Sequence, residues 1–196
     1  MAKFLIGIDE VGRGPLAGPV AVGAVMVPSQ FDFSQFEGVR DSKELSEFGR
    51  EIWFERMRIL VENHHVRYAV EFSSAQMIDT LGIAPAIRSA ISRALRALKA
   101  VPHQSHVLLD GSLRAPRTYL SQETIIGGDA SEPLIALASI VAKVRRDRLM
   151  RRHSLRFPVY GFDEHKGYGT PKHREAIAKF GLCTLHRKTF CESLMK

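Results

Sequence analysis

Residues 4–9 (FLIGID) are an apolar run that ends in acid, the pattern of a short buried strand. Gly12, Gly14, Pro15, Gly18 and Pro19 then interrupt the chain. The next apolar run, 20–27 (VAVGAVMV), predicts a second strand, paired antiparallel with the first across a long loop. Ser46, followed by Glu47, Glu51 and Glu55, opens a helix through Trp53, Phe54, Met57 and Leu60, with its early acids at the positive end of the helix dipole. Alternation over 65–72 (HVRYAVEF) predicts a third strand, with His64 and His65 at its entrance. Ile87, Ile91, Leu95 and Leu98 recur at spacings of three and four, which makes 83–98 an amphipathic helix. Residues 106–109, ending at Asp110, and 124–126, ending near Gly127, Gly128 and Asp129, are two more short strands. Pro133 starts a helix that runs to about residue 151, and a last helix spans about 171–180 after the glycine-rich stretch 161–170. Strands first and helix-separated strands later predict a mixed sheet with helices packed on it. No repeat or linker divides the chain, so one domain is expected over 1–196.

Composition narrows the class. Among 196 residues, 45% are hydrophobic and 25% charged, as in an ordinary globular domain and unlike a disordered chain. The two cysteines, Cys183 and Cys191, form no CxxC pair and support neither a disulfide framework nor a zinc site. The longest apolar stretches, 20–27 and 134–142, fall far short of the roughly 20 residues of a membrane-spanning helix. The chain starts directly into a strand carrying Asp9 and Glu10, so no signal peptide is expected and the expected location is cytoplasmic. The net charge of +7 is unevenly placed: residues 143–196 carry 14 Lys and Arg against 5 Asp and Glu, whereas 1–142 are nearly balanced. A basic final quarter fits an extended anionic partner such as nucleic acid, although a solvated helix face would show the same excess. No wide apolar face with aromatic anchors accompanies it, which disfavours a membrane surface.

The acids carry the chemistry. Asp9 and Glu10 close the first strand, Asp110 the fourth, and Asp129 follows the fifth. One aspartate at a strand end is ordinarily a turn former or helix cap. Several at neighbouring strand ends would repel one another, and a divalent cation would relieve them. Ligands with oxygen donors only favour Mg²⁺ or Mn²⁺ over Zn²⁺, and two such ions suit phosphodiester hydrolysis. Competing chemistries lack their marks. There is no GxxxxGK[ST] phosphate loop, dinucleotide fingerprint, HExxH pair or GxSxG elbow, so Ser139, in an apolar helix, is not a nucleophile.

Taken together, GIDEVGRGPLAGPV, RDSKELSEFGRE, LLDGS, GGDASEPLIALASIVAKVRRDRLM, HKGYGTPKHREAI and LHRKTF, in that order, resemble the ribonuclease HII family over nearly the whole chain. The resemblance implies an α/β ribonuclease H-like fold, a five-stranded mixed sheet flanked by helices, with residues from about 153 to 196 as a C-terminal helical substrate-binding extension. It implies metal binding and catalysis by Asp9, Glu10, Asp110 and Asp129. The implied reaction cleaves RNA paired with DNA and nicks 5′ of single ribonucleotides in duplex DNA, leaving a 3′-hydroxyl and a 5′-phosphate. Gly12, Arg13, Gly14 and Tyr168 match the family's ribonucleotide-reading positions. Ser42 and Lys43, in the Asp41-Ser42-Lys43 motif, together with Lys143 and Arg146, are expected near the nucleic-acid backbone, along with Arg145 and Arg148. Arg146 and Asp147 are expected to form a structural ion pair, and His173, His186 and Arg187 to be structural or backbone-contacting. Ser112 replaces the family's asparagine, and Gly128 and Ser131 replace lysines, which leaves the four acids intact. The expected enzyme is a monomer that uses Mg²⁺ or Mn²⁺. The alternatives are a ribonuclease HIII-like hybrid nuclease, whose family carries an added N-terminal domain, and a non-catalytic nucleic-acid-binding module.

Overall fold

The computed structural model describes residues 2–39, 42–63 and 66–194; Asp41, His64 and His65 lie outside the described residues. Strands β1 (Phe4–Val11), β2 (Val20–Pro28), β3 (Arg67–Ser73), β4 (Ser105–Asp110) and β5 (Gln122–Ile125) form one sheet in the order β3-β2-β1-β4-β5. The β1–β2 and β2–β3 pairs are antiparallel, and β1–β4 and β4–β5 are parallel. The sheet is therefore mixed, with β1 at its centre.

Helices α1 (Glu47–Glu62), α2 (Ala75–Leu81), α3 (Ile83–Ala97), α4 (Gly128–Ser131), α5 (Pro133–Arg156), α6 (Phe162–His165), α7 (Pro171–Phe180) and α8 (Lys188–Cys191) complete the chain. On one face of the sheet, Ile87, Ile91 and Leu95 of α3 pack on Ile6, Ile8 and Leu109. On the other, Phe54 and Met57 of α1 and Leu137 and Val141 of α5 pack on Val25 and Val27. Helix α2 is not among the elements the hydrophobic pattern predicts. It is only seven residues long and carries no amphipathic repeat, and its Ser74 cap, which accepts from Met77 N–H, is its main local signal. Helix α5 extends to Arg156, past the expected end near residue 151, with His153 and Arg156 at its negative pole.

How close α5 comes to the sheet depends on two missing side chains. A Cβ on Gly23 would lie 2.0 Å from the Ala138 carbonyl oxygen, and one on Gly7 would lie 2.3 Å from the Leu134 carbonyl carbon. Backbone thus meets backbone, and polar residues of α5 are brought down onto the ends of β1 and β4. Beyond α5, Tyr160, Phe162 and Ala176 pack around Met150 and Ala17. Both cysteines are free.

Candidate active site

Register brings the first two acids together. Ile8 pairs with Leu109 across parallel strands, so the next residues, Asp9 and Asp110, lie at neighbouring strand ends. Ile6, Ile8, Val107 and Leu109 belong to the core beneath α3, so side-chain alternation turns Asp9 and Asp110 toward α5. The Gly128 amide donates to Asp110 Oδ1 at 2.9 Å, which sets the start of α4, and therefore buried Asp129, beside Asp110. Lys43 Nζ donates to Asp129 Oδ2 at 2.6 Å.

A cavity of about 280 Å³ opens over these ends and is lined by ten of the residues singled out from sequence: Asp9, Glu10, Gly12, Arg13, Gly14, Ser42, Lys43, Asp110, Lys143 and Tyr168. Asp129 joins the group through Lys43. Ser139, which no sequence motif marks, also lines the cavity and hydrogen-bonds Ser42 Oγ at 2.8 Å. Its hydroxyl further supports the Asp9 carboxyl. Its sequence signal was a hydroxyl on a helix face that is otherwise apolar. Ser42 is buried in this contact and is tied down by Arg50, which donates to its carbonyl at 2.8 Å.

The electrostatics fit a cation. Burial pushes the Asp9 carboxyl up to about 8, and repulsion from Glu10 and Asp110 adds to the rise against the Ser139 hydrogen bond. Burial also raises Glu10, with Arg13 offsetting it through a 3.2 Å ion pair. Among the described residues no three acidic, histidine or cysteine side chains already stand at metal-ligating spacing, and Asp129 is engaged by the Lys43 ammonium. The donors are all carboxylate oxygens, Asp9 is pushed up by its acidic neighbours, and Arg13 and Lys43 place positive charge on Glu10 and Asp129. This combination suits a hard divalent ion held by Asp9, Glu10, Asp110 and Asp129.

Arg146 departs from expectation. It is fully buried and donates to the carbonyls of Pro19 (2.9 Å), Lys166 (3.0 Å) and Ala17 (3.4 Å), so it is not a phosphate contact. Nor does it pair with Asp147, which takes Lys143 at 2.9 Å. Helical period explains both results. Lys143 and Asp147 share one face of α5 four residues apart, whereas Arg146 and Met150 share another that abuts the loop after β1. Arg148 is paired with Glu51 of α1 at 2.5 Å, and Arg145 is exposed.

His173 and His186 are buried, with Nε2 atoms 3.1 Å apart. Burial, and then the neighbouring His173, hold His186 down at about 4. An unfolded histidine takes its proton near pH 6.5, so between about pH 6.5 and 4 the unfolded chain binds more protons and stability falls on acidification. The expected loss from this residue is about 2 kcal/mol at pH 5 relative to pH 7.5. Denaturant unfolding at the two pH values measures it, and His186→Gln should flatten the difference.

A mixed α/β sheet whose central parallel strands end in clustered carboxylates, under a glycine loop and beside lysines, defines a metal-dependent phosphodiester hydrolase of ribonuclease H-like architecture. The comparisons with known proteins agree. The family profile described as Ribonuclease HII matches residues 6–193. The Ribonuclease HII of Endomicrobium trichonymphae is 46% identical over 94% of this chain and 83% of its own. The fold superposes on ribonuclease HII from the PCNA:RNase HII complex of Archaeoglobus fulgidus with a TM-score of 0.74 at 26% identity, covering 94% of this chain and 93% of that one. It also superposes on Bst-RNase HIII in complex with Mn²⁺ with a TM-score of 0.68 at 18% identity, covering 99% of this chain and 70% of that one, which is a likeness of fold. The chain belongs to the ribonuclease HII family. It is accordingly a metal-dependent endoribonuclease of the ribonuclease H type that acts on nucleic acid. No helix among the described residues is long and apolar enough to cross a membrane.

Proposed function

We propose that this enzyme, acting as a cytoplasmic monomer, nicks duplex DNA on the 5′ side of a single embedded ribonucleotide, cuts the RNA strand of hybrids, and leaves a 3′-hydroxyl and a 5′-phosphate. The observation that carries this reading is that one cavity holds both the acids and the residues suited to reading a sugar: Asp9, Glu10 and Asp110 beside Gly12, Arg13, Gly14 and Tyr168. Asp9, Glu10, Asp110 and Asp129 would hold two divalent ions, Mg²⁺ or Mn²⁺. When bound, these would lower the pKa of an attacking water and neutralise charge developing at the leaving 3′-oxygen.

The protein's own groups do the selecting. Backbone donors of the 12–14 loop reach the ribose 2′-hydroxyl, the group that tells RNA from DNA, without side-chain obstruction. The half-exposed Tyr168 ring, with the Arg146 guanidinium 5.9 Å from its centroid, packs on the following sugar and excludes a 2′-hydroxyl there. Lys43 and Lys143 face phosphates, Ser42 shapes the floor, and residues 153–196 serve as the substrate-binding extension.

The test compares a DNA duplex holding one ribonucleotide with a continuous hybrid, each with Mg²⁺ or Mn²⁺ and with chelator. The expected result is metal-dependent cleavage of both, with the single site cut on its 5′ side. Cleavage of the hybrid alone would assign ribonuclease HIII-like specificity. Binding without cleavage would make the chain a non-catalytic module.

A further inference from the structure

We propose that His186 and Arg187, adjacent in sequence, are positioning residues that jointly set the two loops flanking the sugar, Arg187 the 12–14 loop and His186 the Tyr168 loop. The inference deepens the reading above and rests on it.

Arg187 is fully buried, and among the described residues it has no carboxylate partner. Its guanidinium instead donates to backbone carbonyls: Gly12 at 2.6 Å, Arg13 at 2.7 Å and Gly18 at 3.0 Å. Burying a guanidinium without a direct ion pair is costly, and burial together with nearby Arg146 holds Arg187 down at about 9, with Asp79 only partly offsetting them. What the charge gains is control over peptide orientation. All peptides described are trans, and in a planar trans peptide the carbonyl and the following N–H point in opposite directions. With the carbonyls of Gly12 and Arg13 drawn inward, the N–H groups of Arg13 and Gly14 turn outward. Among the described residues neither N–H meets an acceptor, and both residues line the cavity. Arg187 thereby fixes two consecutive donors facing the site of the ribose.

His186 acts on the other side through an ordered proton chain. The Cys183 N–H can only donate, and it reaches His186 Nδ1 at 2.9 Å, so neutral His186 carries its proton on Nε2. That proton points at His173 Nε2, 3.1 Å away, which leaves the His173 proton on Nδ1, 2.9 Å from the Tyr168 carbonyl oxygen. Each tautomer is determined by the one before it, and the chain ends on the backbone of Tyr168. The same short segment is clipped to the 16–18 stretch by Gly18 N–H to Leu185 O and Arg187 N–H to Leu16 O, both 2.8 Å. The spacing between the two loops is therefore set from one strip of chain.

The test measures kcat/KM on the single-ribonucleotide duplex and on the continuous hybrid, and affinity for an all-DNA duplex, for wild type, Arg187→Lys, His186→Gln and Tyr168→Ala. Arg187→Lys keeps the charge but loses the fork. It should lower kcat/KM about a hundredfold on both RNA-containing substrates, with all-DNA affinity unchanged. His186→Gln should follow Tyr168→Ala and fall about tenfold more on the single ribonucleotide than on the hybrid. If Tyr168→Ala shifts that ratio while Arg187→Lys and His186→Gln lower only thermal stability, the positioning proposal is overturned. If Tyr168→Ala leaves the ratio unchanged too, the sugar-reading role itself fails. Nitrogen-15 spectra of unmodified protein decide the matter even where a variant does not fold. The expected signals are protonated His186 Nε2, protonated His173 Nδ1, and an Arg187 Nε–H that shifts with the ribonucleotide duplex but not with DNA. Either opposite tautomer, or an Arg187 signal indifferent to the ribonucleotide, overturns the proposal.

Discussion

Asp9→Asn is expected to lower cleavage by about a thousandfold or more and, in chelator at pH 8, to make the protein harder to unfold. The two effects share a cause. Asp9 is 4% exposed and stands among Glu10 and Asp110, so its folded carboxyl ionises only near 8, far above the 3.8 of a free one. A group raised in this way contributes fully below its unfolded value, and that contribution is lost as pH climbs through the folded value. In the absence of a cation the native state is therefore destabilised progressively from pH 4 to 8, by an amount on the order of a few kcal/mol. Asparagine keeps the oxygen that accepts the Glu10 N–H at 2.7 Å and removes the charge. The melting temperature of metal-free Asp9→Asn should exceed that of wild type at pH 8 and converge with it toward pH 4. Undiminished cleavage, or a variant less stable than wild type at pH 8, would contradict the electrostatic account. Stability sacrificed at a functional site and recovered by disabling it is the general pattern.

Gly12→Ala should be comparably damaging for a steric reason. Gly12 has φ +84°, a region open to glycine and costly for alanine, and an added Cβ would lie 2.1 Å from Arg146 Nε. Arg146 is held by three carbonyls in the interior and has nowhere to withdraw. Conformational strain and overpacking together predict a loss of about 3 kcal/mol in denaturant unfolding, with cleavage at ribonucleotides falling about a hundredfold as the Arg13 and Gly14 amides move. Gly14→Ala is the control, because nothing lies within 4 Å of its Cβ position. It should unfold within about 0.5 kcal/mol of wild type. A Gly12→Ala protein that unfolds and cleaves like wild type would show that the loop is free to adjust.

The sheet and the acids were legible because their patterns are local. FLIGID and VAVGAVMV each show a strand's run of apolar residues, and the acids closing the first and fourth strands stand out against such runs. Once β1 and β4 pair in parallel, their register brings Asp9 and Asp110 together without further information. What stayed hidden depends on which face of a helix meets what. Arg146, Arg145 and Arg148 are alike as letters in a basic run, but one is buried against the 17–19 backbone, one is exposed and one is paired with Glu51. Ser139 carries no nucleophile motif and sits in an apolar helix, yet it matters for that very position, since α5 presses that face onto the strand ends. Helix α2 escaped notice for lack of length, yet its Asp79 accepts the Lys188 and Thr189 N–H groups at 2.9 and 3.1 Å and anchors the segment that follows Arg187.

The most direct measurement is anomalous scattering from crystals of the protein soaked in Mn²⁺ with a ribonucleotide-containing duplex. The account predicts manganese peaks bounded by carboxylate oxygens of Asp9, Glu10, Asp110 and Asp129, with the Lys43 ammonium displaced from Asp129 and the scissile phosphate between the peaks. Manganese held elsewhere, or a filled site from which Glu10 and Asp129 stand apart, would contradict it.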